Sequence, residues 1–283
     1  RGMRVGVVRH FWERDLTTNV ELARAMEHAL DVLRRLGANV EETRMRPLQQ
    51  YVDVKMVIAE TEIFSVHHKD LIARGQEFGL NFLAQTLTGC LFQSVEYLAA
   101  QRERRRMLDE MRPLYEKFDV LVTTSSTPAP RFDEYVPLGM WLNPNLYTAF
   151  SITAGPAISL CIGYTENGLP LSMQIAAAPF EEQAVLRVAY AYEQATPWRK
   201  RRPNLVPGVP RVPVPPPSVA TTNADAATRA QVDILARRAG LKLSEPQFAL
   251  LCEAAPYAFA MAARIPSDYE WNEEPADVFR PHR

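Results

Sequence analysis

Apolar and polar positions along this chain switch between two periods, and the switches mark its elements. Met3 to Val8 is a short β-branched run that reads as a strand. Thr18-Asn-Val-Glu21 then offers a capping box, and Leu22, Ala25, Met26, Ala29, Leu33 and Leu36 fall on one face of a helix. Gly37 is placed to stop that helix, and Asn39 to Thr43 resumes strand character. The opening therefore predicts a βαβ unit with a right-handed crossover.

From about residue 53 to 118 the spacing turns helical, carried by Val95, Leu98, Leu108, Met111, Tyr115 and Phe118. Asp119-Val-Leu-Val-Thr123 then reads as a buried strand. After a loop rich in Pro, Ser and Thr, Ala157–Ile162 and Leu171–Ala176 flank a turn signal at Glu166-Asn-Gly168, as two adjacent strands of a hairpin would. Residues 181–195 close this part as a helix. Seven prolines between Pro203 and Pro217 exclude helix and central strand and predict an extended linker.

Beyond that linker, 224–239 is Ala/Arg-rich and helical. Ser244-Glu-Pro246 opens a second helix with Phe248, Leu251, Cys252, Ala255 and Phe259 on one face and Pro256 placed to kink it. Two short helices bury little by themselves, so they are expected to dock on the preceding domain within the same chain. The class is α/β, a mixed sheet flanked by helices with a small C-terminal two-helix domain and an extended tail. The expected domains are 1–208, a Pro-rich linker 209–223 and a helical domain 224–283.

Composition narrows the picture. A hydrophobic content of 47% over 283 residues suffices for a packed core, while a net charge of −1 provides no field to attract nucleic acid or an anionic membrane. Cys90, Cys161 and Cys252 show neither disulfide nor zinc spacing, which fits reduced thiols and a cytoplasmic protein. No apolar run reaches membrane-spanning length. The start lacks an initiator Met and enters a strand almost at once, so the chain reads as one cut from a longer protein.

Several segments, in order, resemble the amidase signature family. Arg1-Gly-Met-Arg-Val-Gly-Val is similar to the strand after the family's catalytic core, and Phe118 to Pro130 to its strand and Thr/Pro loop. Ser151-Ile-Thr-Ala-Gly-Pro-Ala-Ile-Ser-Leu160, Gly168-Leu-Pro-Leu-Ser-Met-Gln-Ile175, Pro179-Phe-Glu-Glu182 and Ala189-Tyr-Ala-Tyr-Glu193 follow the family's C-terminal block. Ser151 stands where the family has Asn, and Cys161 where it has Pro. The last 55 or so residues, ending in Asn272-Glu-Glu-Pro-Ala-Asp-Val-Phe-Arg-Pro281, resemble the small C subunit of tRNA-dependent amidotransferases and the related helpers of amidases in s-triazine and biuret breakdown.

The resemblance implies an amide-bond hydrolase acting on a small amide substrate, with a Ser–Ser–Lys triad and no cofactor or metal. An amide needs that machinery because its carbonyl is a poor electrophile and an unassisted hydroxyl a poor nucleophile. No Gly/Ser-rich nucleophile segment occurs in this sequence, so no catalytic residue is assigned and the chain alone is expected to be inactive. Ser125-Ser126, in a loop without glycines, is better read as a turn. His10 and His67-His68 are read as core or solvated, because neighbouring helical residues diverge by about 100° and cannot share one metal.

Two substrate-facing residues come from the resemblance. Tyr97-Leu-Ala-Ala-Gln-Arg-Glu-Arg104 matches the helix whose arginine holds a substrate carboxylate in the A-type chains of amidotransferases. It nominates Arg104, against a solvated basic face spanning 102–106. Glu181, in place of the family's Asp, is the candidate for a substrate ammonium, against helix N-terminal capping. Arg199 to Arg202 reads as a solvated edge. A tRNA-dependent amidotransferase A-like protein and a non-enzymatic amidase remnant serving as a binding module are the alternatives. Association into a homo-oligomer stays open.

Overall fold

The computed structural model describes residues 2–16, 18–124, 145–202, 208, 224–273 and 275. Ser125-Ser126, the proline-rich stretch apart from Gly208, and most of the tail after Glu273 lie outside the described residues. The rest forms two compact units. One draws on residues up to 49, 107–124 and 145–202, the other on 50–106 and 224–275.

The first unit is built on five strands: β1 (Arg4–Val7), β2 (Asn39–Glu42), β3 (Val120–Thr124), β4 (Ala157–Tyr164) and β5 (Pro170–Ala176), in the order β2-β1-β3-β5-β4. β1 pairs parallel with β2 and β3, while β5 pairs antiparallel with β3 and β4. The expected βαβ opening is present, with α1 (Val20–Arg35) as its crossover. Its cap, however, is Asn19 rather than Thr18: Asn19 Oδ1 accepts from Leu22 N at 2.8 Å, which satisfies one of the first-turn amides. Gly37 (φ 89°) ends the helix in the left-handed region, and Gly168 (φ 82°) makes the hairpin turn between β4 and β5.

Strand alternation divides this unit's core. Val5, Val7, Val120, Val122, Met173 and Ile175 face α1 and a second helix, α6 (Glu182–Ala195), whose Val185, Val188 and Tyr192 join them. Leu121 and Ala176 turn the other way, onto Phe118, Met111 and Phe150. Gly6 belongs to this second face, where an added Cβ would sit 2.7 Å from Leu121 and 2.8 Å from Phe118. Phe150 reaches that face from a short helix, α5 (Thr148–Ile152).

The second unit is all-helical. It holds most of α2 (Leu48–Arg74), α3 (Leu80–Thr86), the first half of α4 (Ser94–Lys117), α7 (Ala226–Arg238) and α8 (Glu245–Arg264). Val52, Met56, Leu71, Leu83, Leu87 and Leu91 share one apolar cluster with Val232, Ala236, Leu251, Cys252, Ala255 and Met261. The Ser244–Gln247 cap is formed, with Ser244 N donating to Gln247 Oε1 at 2.9 Å, and α8 continues through Pro256. His68 Nε2 meets the Ala239 carbonyl at 2.6 Å, and Gln247 Nε2 donates to the Gly75 carbonyl at 3.2 Å.

Glu60 lies on α2 with no solvent exposure and no hydrogen bond to either carboxylate oxygen; Lys55 Nζ stands 3.6 Å away. Burial raises its pKa, with Lys55 opposing. Between the ordinary carboxylate value and the raised one, the folded state keeps a proton that the unfolded state has lost, so stability falls as pH rises through that window. Glu60→Gln is therefore expected to stabilise the protein by about 1 kcal/mol at pH 8 and to flatten its pH dependence. Urea unfolding at pH 5 and pH 8 would show it.

Candidate functional site

The helix α4 carries the clearest constellation. At 100° per residue, positions 97, 101 and 104 fall within about 60° of one another, a single stripe. Tyr97 Oη donates to Glu62 Oε1 on α2 at 2.9 Å, and Gln101 Nε2 donates to Tyr97 Oη at 2.9 Å. Gln101 is buried, and its Oε1 has no hydrogen-bond partner. Arg104, one turn further along, is half-buried. Tyr97, Gln101 and Arg104 thus share one face of α4, with Tyr97 and Gln101 tied to each other and to Glu62, and a guanidinium is a group that can hold a carboxylate bidentately.

Sequence reasoning missed Glu62. It is 35 residues from Tyr97, and only the packing of α2 on α4 could bring it in. The basic face at 102–106 also differs from a solvated one. Arg102 Nε donates to the Glu273 carbonyl at 3.1 Å, while Arg106 Nε and Nη2 meet the two Glu273 carboxylate oxygens at 2.8 Å each.

Glu181 belongs to the sheet unit. It takes the position before α6, but its side chain makes no capping hydrogen bond and is exposed. The residue before it, Phe180, has φ 69° and is 84% exposed. A bulky residue held at positive φ costs on the order of 1–3 kcal/mol, which surrounding structure must offset.

The Ala154-Gly155-Pro156 turn is similarly constrained. Ala154 has φ 55°, and a Cβ on Gly155 would stand 2.6 Å from the Ala177 carbonyl oxygen and 3.0 Å from Tyr115 Oη. Glycine is required for that approach. Ser151 is exposed, with Oγ donating to the Tyr147 carbonyl at 3.2 Å, and Cys161 Sγ lies 3.3 Å from the Gly163 carbonyl.

A polar cleft opens beyond the carboxyl ends of β1 and β2, lined by Arg9, His10, Glu13, Arg14, Glu42, Thr43 and Arg44. Most of its charges answer one another. Arg9 pairs with Glu13, Glu27 and Glu42. His10 is structural: Met45 N donates to Nε2 at 3.2 Å, leaving Nδ1 to donate to Asp15 at 3.1 Å, while Asp15 also accepts from Leu48 N at 2.8 Å. His67 packs edge-on against Phe82 at 5.0 Å.

Among the described residues no group of three or more His, Cys, Asp or Glu side chains could hold a metal, and no helix is long and apolar enough to cross a membrane. Within the basic run, Arg201 lies 4.2 Å over the Tyr164 ring and Arg202 donates to the carbonyl of Arg201 at 3.1 Å, while all four side chains stay exposed.

The Amidase family profile matches residues 1–186. The A chain of a glutamyl-tRNA(Gln) amidotransferase from Thermodesulfovibrio yellowstonii is 29% identical over 231 residues, covering 72% of this chain and 47% of that protein. An amidase from Pseudomonas putida is 30% identical, covering 73% of this chain and 46% of that protein. Among solved structures, 6-aminohexanoate cyclic dimer hydrolase aligns with a TM-score of 0.60 at 23% identity, over 72% of this chain and 47% of that one. The chain thus spans about half the length of the curated relatives it matches.

Proposed function

Since the chain belongs to the amidase family, we propose that it is the C-terminal portion of an amide-bond hydrolase, contributing sheet and substrate pocket rather than the nucleophile. One observation carries this reading beyond the family: Tyr97, Gln101 and Arg104 form one stripe, and Glu62 fixes its base. Arg104 would hold the carboxylate of a small carboxylated amide. Glu181, exposed beside the strained Phe180, would meet a substrate ammonium. No cofactor enters this scheme.

Residues 224–283 are assigned the part of a helper domain fused in cis, joined through the linker 209–223 to the amidase portion 1–208. The apolar cluster that α7 and α8 share with α2 and α3 supports an intramolecular role. Tethering a helper sets its effective concentration at about millimolar for short flexible linkers, far above that of a separate polypeptide. The cytoplasm is the expected compartment.

Turnover measured on the protein at its natural length tests the reading. Arg104→Ala is expected to raise KM for a carboxylated amide about 10- to 100-fold and to leave an uncharged amide nearly unaffected. Equal loss on both substrates would remove Arg104 from the pocket. Activity of residues 1–283 alone, abolished by a substitution within them, would overturn the assignment of the nucleophile elsewhere.

The similarity to the A chain of a glutamyl-tRNA(Gln) amidotransferase favours a second reading, in which the carboxylated amide is glutamine and the product ammonia is passed on. Dependence of activity on a charged tRNA and a further polypeptide would select it.

A further inference from the structure

We infer that the segment 266–273 clamps α4 from behind and thereby sets the direction of Arg104, with Tyr269 and Glu273 as positioning residues. This rests on the carboxylate-binding role of Arg104 proposed above. The clamp is built from contacts inside one unit. Arg102 and Arg106 lie one turn apart on α4, roughly opposite the stripe of Tyr97, Gln101 and Arg104. Both reach the same short segment.

Arg106 grips the Glu273 carboxylate with two parallel hydrogen bonds of 2.8 Å, and its guanidinium lies 4.5 Å over the Tyr269 ring. Arg102 donates to the Glu273 carbonyl and stands 5.9 Å over the same ring. Tyr269 Oη donates to Glu103 Oε2 at 3.1 Å, and Glu103, on α4 between the two arginines, is only 4% exposed. Asp268 adds a longer ion pair to Arg106 at 3.6 Å.

The segment is shaped to meet these partners. Glu270 N donates to Glu273 Oε1 at 3.2 Å and Glu273 N to the Glu270 carbonyl at 3.1 Å, a turn that aims the carboxylate before it meets Arg106. No helix or strand includes residues 266–273, so side-chain contacts to α4 hold the segment in place. A planar, bidentate and stacked arginine resists rotation more than a single point contact does. The helix is thus held on two sides, by Glu62 at the stripe and by Glu273 and Tyr269 at the back. Arg104 lies on the turn of α4 between these two attachments, so holding the helix there limits the directions from which its side chain can meet a carboxylate.

The test uses Glu273→Gln and Tyr269→Phe in the protein at its natural length, read by hydrogen exchange at residues 97–106 and by kinetics on carboxylated and uncharged amides. Each variant is expected to speed exchange at α4 severalfold and to raise KM for the carboxylated amide about five- to tenfold, with kcat and the uncharged amide little changed.

Unchanged exchange would overturn the clamp. Faster exchange with unaltered KM for the carboxylated amide would overturn its positioning role. A wild-type protein that turns over neither substrate would sink the hydrolase reading and with it the positioning role of the clamp. Exchange at α4 would then still decide whether the segment holds the helix.

Discussion

Replacing Gly89 by alanine is expected to destabilise the helical unit by about 3 kcal/mol or more. Gly89 sits in the buried turn Leu87–Leu91, and a Cβ built on it would lie 2.3 Å from the Glu60 carbonyl oxygen and 2.3 Å from Phe64 Cβ. Neither neighbour can retreat, because one is helix backbone and the other is anchored directly to it. The turn itself would have to move, and Leu87 and Leu91 with it, although both are buried in the cluster that joins α2, α3 and α8. Overpacked sites commonly cost about 1–3 kcal/mol, and collisions with backbone belong at the upper end. Gly79→Ala is the control, since nothing lies within 4 Å of its Cβ. Denaturant midpoints for the two variants should differ sharply, and equal midpoints would mean that the turn is not packed this way.

The second large effect concerns Asp53 on α2, whose residue is 3% exposed and whose carboxylate receives Arg264 Nε at 2.8 Å and Nη2 at 2.7 Å. Arg264 is the last residue of α8, so this pair fastens the end of the appended helix to α2. Arg264→Ala leaves a buried carboxylate without its bidentate partner. The expected loss is about 2 kcal/mol, below the range for a fully buried pair because the Arg264 side chain is 47% exposed while that of Asp53 is 4% exposed. The double variant Asp53→Asn with Arg264→Ala should recover a large part of that loss, since the stranded charge is then gone. If the double variant is no more stable than Arg264→Ala alone, lost packing rather than charge sets the cost.

Much of the sheet unit was legible in the chain because its signals are local. The β-branched runs at Val5 and Val120, the stops at Gly37 and Gly168, and the alternation through Ala157–Ala176 each specify their own element. The helical stretch was legible only as helix. Tyr51, Val52, Val54, Met56, Val57 and Ile58 of α2 are all buried, so burial there wraps the helix and leaves no single apolar face to read. Val95 and Leu98, which look like a core stripe, are exposed instead.

Of the candidate site, Arg104 was nominated by the resemblance of residues 97–104 alone, and the i, i+4, i+7 spacing then puts Tyr97, Gln101 and Arg104 on one face of α4. The supports of that face were not legible in the chain. Glu62 and Glu273 reach α4 from 35 and 167 residues away, distances that only the folded backbone closes. Arg102 and Arg106 looked like solvated charge for the same reason, since nothing near them in sequence announces Tyr269.

The pairing of β1 with β3 sets a timetable for synthesis. Val5 faces Val120 across a parallel ladder, so β1 must wait for that partner while more than a hundred residues, 50–106 of the helical unit among them, leave the ribosome. Closing so long a loop is slow compared with zipping the β4–β5 hairpin. Nascent β1, with its edge toward β3 still unpaired, is therefore the segment a holding chaperone would find, and occupancy there should drop once the chain has been extended past Thr124.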